Sequence, residues 1–289
     1  LPGPAPNEGD QFPPNKTYYE IPIAVQDRSF NTDGSLFYPD TRVFFDEIVA
    51  PYIPSGDFSP IWNPEFFGNM IMVNGNTWPF QTVEQRRYRL RFLNGSDSRF
   101  YNMWITPGTS MVPGPTIHQI GTDGGFLDAP VALDQLAIGP GERADTLVNF
   151  AGFGGQTLVL RNNARSPFPK GESVDPQTTG QIMAFRVGTM VTEPDPPLPA
   201  TLRPSPIMPL GGAVRTRQLV LFEGEDEYGR LMPMLGTTDE GAMHFDHPIT
   251  ENPMLDDVEI WEVFNATEDA HPIHLHLVQF QIIDRQKFR

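Results

Sequence analysis

Apolar and polar positions alternate with a period of two in many short segments of this 289-residue chain. Side chains of a β-strand point alternately to opposite faces, so this pattern predicts strands. No window carries a sustained 3.6-residue apolar stripe of helix length. The 31 prolines and 26 glycines lie scattered between the alternating segments as turn residues. The expected fold class is therefore all-β. The predicted strands are residues 19–25, 36–38, 70–73, 87–93, 101–105, 117–120, 135–138, 147–150, 157–161, 181–187, 217–222 and 258–264.

Turn residues punctuate these strands at even intervals. The strongest is Asn74-Gly75, directly after residues 70–73, because both residues accept the positive φ of a type I′ hairpin turn. Short strands at even spacing predict a β-sandwich or barrel over the first two thirds of the chain.

The densest proline stretch separates this region from a second β unit. Proline is stiff and cannot pair inside a sheet, so the stretch is expected to be a linker. The predicted organisation is an irregular connector at 1–17, a first domain at 18–191, the linker at 192–215 and a second domain at 216–289.

The charge excludes some partners. A formal net charge of −16 argues against nucleic acid, which requires clustered Lys and Arg. The basic cluster 86–91 alternates with Tyr88, Leu90 and Phe92, and is therefore predicted to be the solvated face of an amphipathic strand. No apolar run approaches the roughly 20 residues of a membrane span. The chain has no cysteine, so it has no disulfide and its redox compartment cannot be inferred from thiols.

Three of the six histidines lie within residues 271–276, in an otherwise apolar run. Imidazole is a common ligand for Cu and Zn. On a strand beginning near Pro272, His274 and His276 would share a face with Cα atoms roughly 6.5–7 Å apart. They could clamp one ion or serve two neighbouring ions, and His271, of opposite parity, would serve another site. The alternative is that the rings pack in a core, but three imidazoles would then leave buried nitrogens without partners.

The surroundings of the triplet carry a resemblance to a known family. Residues 259–261, Asn265, residues 271–277 and Asp284-Arg285 resemble the final-domain copper motif of multicopper oxidases, closest to the branch of spore-coat laccase, bilirubin oxidase and phenoxazinone synthase. Other stretches resemble the copper-free middle cupredoxin domain of that family: residues 27–31, 34–38, 73–79, 88–94, 119–125 and 140–145.

The resemblance implies cupredoxin-like Greek-key domains, one complete and one partial, and an oxidase activity. One-electron oxidation of phenolic, aromatic or bilirubin-like substrates would be coupled to four-electron reduction of dioxygen to water. His271 would be a ligand of the type 1 copper, His274 of the type 2 copper and His276 of the type 3 pair. Family analogy also suggests an extracytoplasmic, secreted or spore-surface setting.

The chain departs from the family pattern in its ligand count. The type 1 site of the family needs a cysteine and a second histidine, and its cluster needs further HxH and HCH pairs. The chain has no cysteine, and none of these histidine motifs occurs outside residues 271–276. We therefore expect either a fragment of an oxidase or one piece of a nicked oxidase, inactive alone and with both ends at interior positions of a longer protein. The missing ligands would come from a first domain upstream and the remainder of the last domain downstream.

Two alternatives remain at this stage. One is a copper-less cupredoxin relative with a structural or binding role, and the other is a zinc site built on His274 and His276.

The remaining histidines do not match the family motifs. His118 is expected to have a structural role. His244 and His247 are expected to bind metal adventitiously or not at all. A further hypothesis is that these two residues lie at the rim of a substrate site. The acidic residues 223–227 and 256–257 are expected to solvate the surface, and Met232 and Met234 to pack.

Overall fold

The computed structural model describes residues 18–37, 65–110, 112–192, 195–225 and 231–288. These residues form 17 strands and no helix, which confirms the all-β class. Accordingly, no helix in this part of the chain is long and apolar enough to cross a membrane. The predicted connector at 1–17 lies outside the described residues.

The described residues divide into two compact units. The first comprises residues 18–37 and 67–207, and the second comprises residues 65–66 and 208–288. The division after Ile207 falls inside the stretch assigned to the linker, and the predicted domain limits stay a prediction.

The first unit contains 13 strands among its described residues. They are β1 (Glu20–Phe30), β2 (Leu36–Phe37), β3 (Met70–Val73), β4 (Asn76–Thr77), β5 (Phe80–Val83), β6 (Arg87–Asn94), β7 (Tyr101–Pro107), β8 (Ile117–Thr122), β9 (Gly125–Leu133), β10 (Leu136–Ile138), β11 (Arg143–Asn149), β12 (Thr157–Asn162) and β13 (Gln181–Val187).

The first unit is built from two sheets. The larger has the order β4-β3-β1-β6-β11-β8-β9, with β2 also paired to β1, and the smaller has the order β10-β7-β12-β13-β5. Strands β1 and β6 are parallel, as are β5 and β13, although each pair is far apart in sequence. Inward side chains of both sheets, among them Leu90, Val148, Leu160 and Phe185, form one buried core. Two sheets sharing one core make a β-sandwich.

The hairpin between β3 and β4 follows the predicted turn. Val73 pairs with Asn76, so the loop has only two residues. Asn74 has φ of 49° and Gly75 has φ of 82°, the two positive values that a type I′ turn requires. The register of this hairpin is therefore set locally by the Asn-Gly pair.

The basic cluster lies on β6 but is not simply a solvated face. Tyr88, Leu90 and Phe92 are buried, as the alternation predicts. Arg89, however, pairs with Glu20 and Asp145 of the neighbouring strands β1 and β11. Arg86 lies before the strand, is itself buried, and has its guanidinium 3.5 Å from the centroid of the Tyr19 ring. The prediction for Arg86 was wrong because a cation–π contact offers the guanidinium a buried position.

Part of the proline-rich linker lies against the first unit. Asp128 on β9 accepts a hydrogen bond at its backbone oxygen from Leu202 N (2.9 Å) and at Oδ1 from Ile207 N (2.8 Å). Asp195 forms an ion pair with Arg87 at 3.6 Å. The linker residues Asp195, Leu202 and Ile207 lie in no strand, but side-chain and backbone atoms of the sandwich hold them in place.

The second unit contains one four-stranded sheet in the order β16-β15-β14-β17. Among the described residues of the range 208–288, the buried hydrophobic side chains are Val220 and Leu221, whereas many large ones are exposed, including Phe245 and Leu277. An extensive exposed apolar surface is unusual for an isolated soluble domain. The strands are β14 (Arg215–Glu225), β15 (Leu231–Thr237), β16 (Gly241–Met243) and β17 (Glu259–Asn265).

Candidate metal centre

The histidine triplet follows β17, which a polar cluster fixes beside β14. Nε and Nη2 of Arg217 donate to the two carboxylate oxygens of Glu259 at 2.6 and 2.9 Å. The indole Nε1 of Trp261 donates to the same carboxylate at 2.9 Å. The hydrogen bonds from Arg217 and then Trp261 lower the pKa of Glu259 from 4.5 to about 2. Bidentate Arg–carboxylate pairs restrict geometry strongly, so this cluster fixes where β17 begins.

Asn265, the last residue of β17, organises the loop that leads to the triplet. Its side-chain oxygen accepts hydrogen bonds from the backbone N (3.1 Å) and Oγ1 (2.8 Å) of Thr267. Its Nδ2 donates to the backbone oxygen of Asp269 at 2.6 Å. Asn favours such local bonds to the backbone, which explains why the strand ends here and the chain turns.

His271 is held by two side chains from different elements. Its Nε2 shares a hydrogen bond of 2.6 Å with Thr267 Oγ1 and lies 3.5 Å from Oε1 of Glu223 on β14. Both His271 and Glu223 are half-buried. Burial raises the pKa of the Glu223 carboxyl, while the nearby imidazole acts in the opposite direction. Contacts of this kind orient an imidazole and fix which ring nitrogen remains free.

His274 and His276 lie next to each other and are exposed. Their ring centroids are 5.1 Å apart, with an interplanar angle of 79°. The structure therefore brings these two imidazoles together, while His271 contacts Thr267 and Glu223 instead.

The predicted strand through the triplet is wrong. Residues 266–288 contain no strand, and Leu277 has φ of +71°. An extended strand requires negative φ, and a strand also needs a neighbour for its backbone hydrogen bonds. Within the described residues no backbone hydrogen bond joins residues 271–278 to another strand. The two rings approach each other through a bend rather than through strand periodicity.

The donors present fit copper in kind but are too few to complete a site. Imidazole nitrogen suits copper, and the triplet supplies three such groups. Among the described residues, however, no three His, Asp or Glu side chains converge closely enough to hold an ion. A blue copper site also needs a thiolate, and the chain has no cysteine.

The other histidines lie elsewhere. His118 is on β8, opposite Leu147 of β11 and Ala132 of β9. His244 and His247 lie in a turn after β16, with ring centroids 5.7 Å apart.

Two partners of the candidate site were not found by sequence reasoning. Glu223 had been assigned to surface solvation with its acidic neighbours, but it is half-buried and contacts His271. Only the pairing of β14 with β17 brings it there, and periodicity does not reveal that pairing. Thr267 belongs to no motif singled out above, although a hydroxyl four residues before His271 could have suggested the contact.

Comparison with known proteins gives the family. A family model described as multicopper oxidase matches residues 226–289. A laccase of Bacillus stratosphericus is 40% identical over 278 residues, covering 94% of this chain and 50% of that protein. A laccase of Bacillus subtilis is 36% identical over 271 residues, covering 93% of this chain and 48% of that protein.

Comparison of the fold with solved structures also leads to multicopper oxidases. The 2F4 variant of McoA, a multicopper oxidase from Aquifex aeolicus, superposes with a TM-score of 0.66 at 27% identity, covering 92% of this chain and 52% of that one. The chain belongs to the multicopper oxidase family, and its domains are cupredoxin-like. Its sequence is similar to bacterial laccases, as the motifs predicted. It spans about half the length of the curated relatives it matches.

Proposed function

We propose that this chain is part of a laccase-like oxidase that couples one-electron oxidation of small aromatic reductants to reduction of dioxygen to water. His271 would bind the type 1 copper, His274 the type 2 copper and His276 one copper of the type 3 pair. The observation that carries the proposal is the separation of the triplet into two environments. His271 contacts Thr267 and Glu223, whereas His274 and His276 contact each other.

The residues around His271 suit the role of a positioned ligand. Nε2 is engaged by the Thr267 hydroxyl, so Nδ1 is the ring nitrogen left for a metal. Thr267 and Glu223 would fix the rotation of the ring, as partners of metal-bound histidines commonly do. The Asn265 bonds hold the loop that carries Thr267, so the orientation of His271 depends on the end of β17.

His274 and His276 would present two imidazoles toward neighbouring ions. Each is exposed and therefore open to ligation. When bound, copper would supply one-electron redox chemistry at the first site and dioxygen chemistry at the others. The remaining ligands, including a cysteine, would come from a first domain and from the remainder of the last domain. We accordingly infer that residues 1–289 alone have no oxidase activity.

Phenols and aromatic amines are the proposed substrate class, with bilirubin-like pyrroles as the alternative. Support comes from the similarity to two bacterial laccases over nearly the whole chain. Oxygen uptake measured separately with a phenol, an aromatic amine and bilirubin would rank these reductants.

The test uses an oxidase polypeptide that includes residues 1–289 and the segments proposed to flank them. His271→Ala should remove the intense blue absorption of a thiolate-bound copper and stop substrate oxidation. His274→Ala and His276→Ala should retain the blue colour and lose oxygen uptake. His118→Ala is the control and should change neither readout. Blue colour and turnover that survive in all three ligand variants would refute the assignment.

A further inference from the structure

We propose a second metal site, independent of the triplet, at His244 and His247. These two residues would chelate one divalent transition-metal ion, with Cu²⁺ bound most tightly. Neither histidine belongs to the copper motif described above, so this proposal does not depend on the proposed oxidase function.

A short turn brings the two imidazoles together. The backbone N of His247 donates to the backbone oxygen of His244 at 3.1 Å, which closes a four-residue turn. Closure of such a turn brings its first and last Cα atoms within about 7 Å. The rings of the first and last residues therefore start close to each other, whereas Phe245 and Asp246 occupy the two central positions.

Both ends of the turn are restrained. Met243, the last residue of β16, pairs with Leu235 of β15. Pro248 follows His247 and restricts the backbone of the residue before it to extended conformations. A chelating pair held in this way loses less conformational entropy on binding than two histidines on a free loop.

The geometry of the rings fits a single ion. A nitrogen-bound metal at about 2.0–2.1 Å lies roughly 3.2 Å from the ring centroid, so two rings on one ion can have centroids up to roughly 6.4 Å apart. The observed separation is 5.7 Å, and the interplanar angle is 74°. The rings are therefore arranged edge to face rather than stacked, and their separation is within the range that one shared ion allows.

The surroundings favour a cation. Residues 244–249 are exposed, so an ion has direct access and water can complete its coordination. Asp246 lies in the turn itself, and the chain carries a formal net charge of −16. Imidazole pairs bind ions such as Cu²⁺, Ni²⁺ and Zn²⁺, with Cu²⁺ highest in the usual affinity order, and are poor ligands for Mg²⁺.

The experiment is a calorimetric titration of the full 289-residue chain with Cu²⁺, Zn²⁺ and Mg²⁺. The starting protein carries His271→Ala, His274→Ala and His276→Ala, so the triplet cannot bind. We expect one Cu²⁺ per chain, weaker Zn²⁺ binding and no Mg²⁺ binding. His244→Ala and His247→Ala should each weaken Cu²⁺ binding at least tenfold. Phe245→Ala, in the same turn, and His118→Ala are matched controls that should bind as the starting protein does.

Two results would overturn the proposal. One is the absence of Cu²⁺ binding by the starting protein when circular dichroism shows it folded. The other is Cu²⁺ binding that survives in both His244→Ala and His247→Ala. Should the triple variant not fold, the same comparison in the wild-type chain decides the question, because each of these two changes must then remove one bound ion. Neither result bears on the triplet, so failure here is distinguishable from failure of the oxidase assignment.

Discussion

The guanidinium of Arg217 and the carboxylate of Glu259 form a two-bond pair between β14 and β17, with donor–acceptor distances of 2.6 and 2.9 Å. Both side chains are largely shielded from solvent. Glu259→Gln should lower the melting temperature of the second unit, because Arg217 loses its charged partner. Glu262→Gln on the same strand is the control, since Glu262 is exposed and accepts a single hydrogen bond, from the Gln218 amide, among the described residues. Equal effects of the two changes would contradict this role for Glu259.

The same pair predicts a dependence of stability on pH. The pKa of Glu259 is lowered from 4.5 to about 2 in the folded chain, so the unfolded chain binds more protons between these values. The contribution of Glu259 is therefore fully present above about pH 4.5 and is lost as the pH falls toward 2. The stability difference between wild type and Glu259→Gln, measured by denaturant unfolding, should shrink across this window. A difference that stays constant from pH 6 to about pH 2 would count against the assignment.

Strand β6 offers a test of the sandwich core. Leu90 is fully buried, whereas Leu93 on the same strand points outward and is 38% exposed. Leu90→Ala should lower the free energy of unfolding by about 2–5 kcal/mol, because it leaves a cavity. Leu93→Ala should cost about 0.5 kcal/mol or less. Denaturant unfolding of the two variants measures both values, and a reversed ranking would show that the faces of β6 are misassigned.

The hairpin turn tests the local register of the first unit. Gly75 has φ of +82°, a region that residues with a Cβ disfavour. Gly75→Ala should therefore destabilise the fold by about 1 kcal/mol. Gly188→Ala is the control, since a Cβ there would lie at an ordinary 3.6 Å from the backbone oxygen of Val83 and the residue has no positive φ. Thermal denaturation should show a lower midpoint for the first variant only.

Much of the fold follows from the sequence because strand alternation and turn residues are local signals. The alternation of Tyr88, Leu90 and Phe92 located β6, and Asn74-Gly75 located the hairpin. Strands β9 and β15 were not predicted; each contains a proline, Pro130 and Pro233, which cannot donate a ladder hydrogen bond.

The features of the fold and of the candidate site that the sequence does not predict depend on contacts between segments far apart in the chain. The parallel pairing of β14 with β17 brings Glu223 to His271, and nothing in the period of either strand specifies that partner. Burial of Arg86 likewise depends on the ring of Tyr19, 67 positions earlier. The triplet was found by residue type and spacing, but its backbone was wrongly taken as a strand. Leu277 has positive φ, and the segment has no strand neighbour among the described residues.

The central claim is that His271, His274 and His276 bind copper in two separate centres. The most direct measurement is anomalous X-ray scattering at the copper edge from crystals of an oxidase polypeptide that includes this chain. One copper peak is expected within coordination distance of His271, and separate copper peaks are expected beside His274 and His276. No copper at any of the three imidazoles, or a single zinc shared by His274 and His276, would contradict it.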